Sequence, residues 1–116
     1  MMTQEGLLGS LEELVLLALA RAGDEAYGMV VRRELADATG RDVSIGAVYS
    51  TLDRMEQKGW VGSHEPEDDA RRSRGRRYFR LTAEGIRQLE VARERRRKLA
   101  DGVDLEGLKA RPSFRP

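Results

Sequence analysis

The sequence predicts a mainly α chain with one small β-hairpin, and three observations carry that expectation. Apolar residues recur at helical spacing in successive stretches up to about residue 100, punctuated by capping Ser and Thr and by terminating Gly. After Gly59 the period changes from 3.6 to 2, and Trp60, Val61 and then Tyr78, Phe79, Arg80 and Leu81 are rich in strand formers. Between those two runs lies a polar span with Pro66 and Gly75, which reads as the long tip of a hairpin. A chain of 116 residues supports one core rather than two, and 40% apolar with 35% charged content describes a soluble globular protein.

Ser10 is expected to start the first helix, with Glu13 three residues later to complete a capping box. The run LEELVLLAL over 11–19 is apolar nearly all round. Such a helix is covered on more than one side, and the second cover is expected to be another copy of the chain. Gly23 and Asp24 break it. A second helix is expected over 26–38, closed by Gly40, with Val30, Val31, Leu35 and Ala38 inward and Arg32, Arg33, Glu34 and Asp37 toward water. Gly28 near its start disfavours helix by about 1 kcal/mol relative to Ala, which implies a close approach by another helix.

The stretch 44–60, SIGAVYSTLDRMEQKGW, is the one the others surround. Ser44 can cap a helix start and Gly59 can end one, bracketing about fourteen residues or roughly 21 Å of helix. Ile45, Val48, Leu52 and Met55 form an apolar stripe. Opposite them stand Gly46, Ala47, Ser50, Thr51 and Arg54, small or singly polar where a solvated helix would carry Glu and Lys. Two helices joined by a short Gly-containing turn make a helix-turn-helix, and the hairpin after it is a wing. Thr82 caps the last helix, expected over 83–100, whose stripe is Ile86, Leu89, Val91, Ala92 and Leu99. Its basic end, Arg93, Arg95, Arg96, Arg97 and Lys98, suits the helix dipole. The chain therefore divides into a winged helix-turn-helix domain at 7–82, a C-terminal helix at 83–101 and a flexible tail at 102–116.

The formal net charge of +1 conceals segregation: residues 71–80, RRSRGRRYFR, hold six arginines and no acid, and residues 65–69, EPEDD, hold four acids and no base. Segregated charge points to a specific electrostatic footprint. Arginines around Gly75, where backbone can approach closely, fit phosphate neutralisation, and a small-faced helix beside them fits the major groove of DNA. The residues expected on DNA are Ser44, Gly46, Ala47, Tyr49, Ser50 and Arg54 from the helix, and Arg72, Arg74, Gly75, Arg76, Arg77 and Tyr78 from the wing.

Other chemistries find little footing. There is no cysteine, and the single histidine, His64, has no companion, so neither disulfides nor a metal site are expected. With no glycine-rich phosphate loop, no nucleophile beside a base and no acid pair in an apolar setting, neither enzymatic activity nor a cofactor is expected. The N-terminus lacks a basic start followed by a long apolar run, and residues 14–20 are too few to span a bilayer, so a cytoplasmic protein without membrane contact is expected.

In their order, LEELVLLALA, AYGMVVRREL, SIGAVYSTLDRMEQKGWV and GRRYFRLTAEG resemble the PadR family of bacterial transcriptional regulators, in its short form with a single C-terminal helix. The resemblance spans about residues 8–89. Its most specific parts are Tyr27-Gly28, the run from Gly46 to Leu52 with Tyr49, and the wing exit from Arg77 to Thr82. It implies a repressor that dimerises through the last helix, assisted by the first, on a pseudo-palindromic operator of double-stranded DNA. The helix after Ser44 would enter the major groove and the wing would follow the backbone or minor groove. Dimer contacts are then expected from Leu11, Leu14, Val15, Ile86, Leu89, Ala92 and Leu99. Ala47 and Ser50 stand where Thr and Pro are frequent in the family, which bears on the operator sequence rather than the fold. The competing reading is a winged helix that binds protein without touching an operator. Some relatives bind flat aromatic compounds between aromatic side chains at the dimer centre. The last helix here has no aromatic residue, which leaves a pocket between Leu16, Leu89 and their dimer mates for a small-molecule effector.

Overall fold

A computed structural model describes residues 8–67 and 77–112. In chain order these form α1 (Ser10–Ala22), a 3-10 turn (Gly23–Glu25), α2 (Gly28–Thr39), α3 (Ile45–Gln57), β1 (Val61–His64), β2 (Tyr78–Leu81), α4 (Ala83–Ala100) and α5 (Leu105–Ala110). The strands pair antiparallel, with Val61 opposite Leu81 and His64 opposite Tyr78. This is the mainly helical fold with one hairpin that the sequence predicts.

Helix α1 starts one residue away from expectation. Its N-cap is Gly9, and the box is closed by Glu12, whose carboxylate accepts the Gly9 amide at 3.0 Å. The reason is tertiary. Glu12 is only 8% exposed, and its second oxygen accepts from the Lys58 ammonium at 3.0 Å, just past the end of α3. Lys58 in turn lies over the Trp60 ring, 4.6 Å from its centre. Burial by itself raises the Glu12 carboxyl, but the Gly9 amide, Lys58 and the charge of Arg54 outweigh it and hold the group below its ordinary value. Glu13 instead turns to α4, where it accepts from the Arg96 guanidinium at 2.7 Å.

Val15, Leu16, Ala18 and Leu19 of α1 are buried, and the helix packs on α2, α3, β2 and α4. Its nearly uniform apolar character is thus answered mostly within its own chain. Around it the core holds Val31, Leu35, Val48, Leu52, Met55, Trp60, Val61 and Phe79, side chains whose burial contributes roughly 1.5–3 kcal/mol for each large aliphatic or Phe.

Helix α2 begins at Gly28, later than the expected residue 26, because the preceding residues are drawn into the sheet. Tyr27 forms a bridge with Tyr78, and the Phe79 amide donates to the Ala26 carbonyl at 2.8 Å. The hairpin thereby gains a third paired segment that no alternating pattern announced. Val30, Val31 and Leu35 are buried as expected, whereas Ala38 is exposed at the rim of a groove between α1 and α2. At Gly28 the helices do approach closely, since a Cβ there would lie 2.6 Å from the Tyr49 hydroxyl.

Helix α4 is rotated from its predicted stripe. Gly85, Gln88 and Ala92 face inward, while Ile86 and Leu99 are 49% and 82% exposed. The cause is the start of the helix, which lies so close to the Trp60 carbonyl that a Cβ at Gly85 would collide with it. With Gly85 forced inward, helical spacing carries Gln88 and Ala92 inward too. The tail, expected to be loose over 102–116, carries the short helix α5.

Candidate nucleic-acid interface

The candidate site is built on α3. The Ser44 hydroxyl accepts the Ala47 amide at 3.1 Å and so starts the helix where the sequence indicates. Val48, Leu52 and Met55 are fully buried behind it. Thr51, which the sequence placed on the outer face, belongs to the inner one: it is 1% exposed, and its hydroxyl donates to the Ala47 carbonyl at 2.7 Å while accepting from Arg54 at 3.3 Å. The exposed positions are Gly46, Ser50, Asp53, Arg54 and Gln57. They recur with the helical period along one face, so Asp53 and Gln57 were available to the same reasoning that found Ser50 and Arg54. Ala47 is half-buried at its edge.

The turn before α3 is held by a residue that sequence reasoning assigned to solvent. Arg32 donates from Nε to the Val43 carbonyl at 2.7 Å and from Nη2 to Asp42 at 2.9 Å. Together with Gly40 in the left-handed conformation at φ +73°, this fixes the chain reversal that angles α3 against α2. Periodicity alone carries no signal for such a bond, because it depends on the turn folding back.

Tyr49 is half-buried, its ring tilted 6.3 Å from that of Phe79 and its hydroxyl end against Gly28. Tyr78, expected at the DNA surface, is 7% exposed and lies between the rings of Tyr27 and His64, at 5.9 and 5.6 Å. Packing at the tip-side end of the strands leaves it little surface to offer. Arg77 is turned onto α3, where it donates to Asp53 at 2.6 Å. Arg72, Arg74, Gly75 and Arg76 lie outside the described residues. At the other end of the wing, the Thr82 hydroxyl donates to the Gly59 carbonyl at 2.6 Å and accepts the Gly85 amide at 3.0 Å, joining the end of α3, the hairpin and the start of α4.

Of the apolar residues expected between two copies, Val15 is wholly buried in its own chain, because α1 turns that side to the core, and Ala92 is 7% exposed. Leu11, Leu14 and Leu89 are half-buried, and Ile86 and Leu99 are open. Between α1 and α4 runs a groove of about 570 Å³ that includes Leu17, Leu81, Ile86, Leu89 and Arg93 in its walls. Leu16, expected to line such a pocket, lies fully buried beneath it. Among the described residues no group of His, Asp and Glu could hold a metal ion, and no helix is long and apolar enough to cross a membrane.

A helix anchored behind and open in front, preceded by a clamped turn and followed by a hairpin, defines a winged helix-turn-helix. The family model of the transcriptional regulator PadR-like family matches residues 15–91, and the chain belongs to that family. It is a DNA-binding transcription regulator. Among solved structures, the chain is similar to an hsRosR protein solved as a complex, at 24% identity over 83% of this chain and 79% of that one, with a TM-score of 0.67. A winged-helix DNA-binding protein from STIV matches at 16% identity over 90% of this chain and 100% of that one, TM-score 0.66. BpsR of Bordetella bronchiseptica, described for the regulation of its DNA binding by 6-hydroxynicotinic acid, matches at 17% identity over 94% and 76%, TM-score 0.61. At these identities the solved structures speak for the fold. No curated protein matches the chain.

Proposed function

We propose that this chain is a homodimeric repressor that binds a pseudo-palindromic operator, inserting α3 into the major groove and laying the wing along the backbone. The observation that carries the reading is the outer face of α3: Gly46, Ser50, Asp53, Arg54 and Gln57 are exposed on a helix whose other side is locked into the core. Ser44, Gly46, Ala47, Ser50 and Arg54 are the proposed groove contacts, with the Tyr49 hydroxyl at their edge. Arg72, Arg74 and Arg76, with the backbone at Gly75, are the proposed phosphate contacts of the wing. Binding is the whole of its work, with no catalytic step, in the cytoplasm.

The second copy is proposed to cover Leu11, Leu14, Leu17, Ile86, Leu89 and Leu99, apolar surface that one chain leaves partly or largely open. The unit at 83–101 is then the dimerisation helix. A small-molecule effector would enter the groove between α1 and α4, the ligand regulation described for BpsR being a precedent within the fold. Protection mapping with the purified protein on DNA flanking its own coding region tests the reading. The expected result is a protected site with dyad symmetry and half-sites about one helical turn, or roughly 34 Å, apart. Uniform binding without a protected site, or binding by a monomer at saturation, would refute it.

A further inference from the structure

Arg77 is the first described residue after the wing tip, and its contacts among the described residues point back to the protein. Its Nη2 donates to Asp53 Oδ1 at 2.6 Å and lies 3.8 Å from Glu56 Oε1, both on α3. The guanidinium carbon sits 4.8 Å from the centre of the Phe79 ring, and Nε is buried with no hydrogen-bond partner. Glu56 also accepts the Ser63 hydroxyl from β1. Glu56 is therefore met from both arms of the hairpin, and Asp53 from Arg77, the residue before β2.

Asp53 stands on the exposed face of α3, its side chain 55% open, and Glu56 lies about one turn further along at 35%. Without compensation, two carboxylates on that helix would repel the phosphates on either side of a groove. A guanidinium paired with both acids and lying over Phe79 has its charge committed to the protein, while 40% of the side chain stays exposed. We infer that Arg77 is a positioning residue for DNA binding: it offsets part of the negative charge of Asp53 and Glu56, holds the tip side of the hairpin on α3, and makes no phosphate contact. The inference rests on the proposed insertion of α3 into DNA and removes Arg77 from the phosphate-binding set that the sequence suggested.

A double-mutant cycle tests it. Arg77→Met keeps an unbranched stem over Phe79, and Asp53→Asn with Glu56→Gln keeps shape while removing charge. The three proteins carrying one change, the other, or both are compared with the parent for binding to a random-sequence duplex of roughly 40 base pairs, about four helical turns. Salt is varied between about 50 and 200 mM. In the parent background Arg77→Met is expected to weaken binding about tenfold; in the charge-neutral background it changes affinity less than about twofold and leaves the salt slope unaltered. A similar loss in both backgrounds, with the slope shallower by about 0.9 each time, would make Arg77 a phosphate contact and overturn the inference. Failure of the parent itself to bind duplex DNA would instead overturn the proposed function on which the inference stands. Trp60 emission checks that each variant folds, and Arg77→Gln replaces the Met variant in the cycle if that one does not.

Discussion

Replacing Gly85 by Ala sets helix propensity against packing. In an exposed helix the change stabilises by about 1 kcal/mol. At Gly85 the added methyl collides with the Trp60 carbonyl oxygen and stands 3.0 Å from its carbon and 3.3 Å from Leu81 Cδ2. The carbonyl is not able to swing aside cheaply, because it accepts the Thr82 amide at 3.1 Å, and Thr82 is itself bonded to Gly59 and Gly85. Overpacking costs about 1–3 kcal/mol, and loosening the Thr82 cap about 1 more. Less about 1 for propensity, the net loss is about 1–3 kcal/mol. Urea titration followed by Trp60 fluorescence reads it directly, since Trp60 is the only tryptophan and is 4% exposed. Protein concentration is held equal, so that self-association shifts both proteins alike. The midpoint should fall with an unchanged slope. A G85A variant as stable as the parent, or more so, would show that α4 does not start against the Trp60 carbonyl.

Two further outcomes are expected. The Glu12 carboxyl is held below its ordinary value of 4.5, so its pairing adds stability above that pH and loses it as pH falls through the folded value. Glu12→Gln should therefore flatten the acid limb of stability against pH below about pH 5; equal limbs in both proteins would count against the pair. The effect is modest, about 1 kcal/mol or less, because the Lys58 side chain is 38% exposed and solvent screens it. Arg32→Lys should lose the fork that spans Val43 and Asp42, at a cost of about 1–2 kcal/mol, with faster amide exchange over residues 40–44. Unchanged exchange there would mean that the turn holds itself.

Short-range chemistry was legible in the sequence. Ser44 and Thr82 cap helices where their hydroxyls meet orphan amides, Gly40 and Gly59 end helices at φ +73° and +82°, and Val48, Leu52 and Met55 share one buried face. Each of these follows from residues within one or two helical turns of one another, so the chain order carries the information. The choice of α3 as the interface helix rests on the same local pattern, and so does the change to a strand period after Gly59.

What only the tertiary structure decided involves partners distant in sequence. Glu12 rather than Glu13 closes the first cap because Lys58, 46 residues on, draws it inward. Tyr78, polar enough to read as surface, is buried between Tyr27 and His64, partners that no period announces, whereas Thr51 stands three residues from Val48 and shares its inward face. Arg32 and Arg77 count in sequence as two cations among many; in the fold one clamps a turn and the other is bound to the acids of α3. Charged groups are the least legible residues in a chain, because their energy depends on which opposite charge and how much water the fold leaves beside them. Helix α3 and its wing could thus be named from the sequence, but which of their side chains remain open to a partner could not.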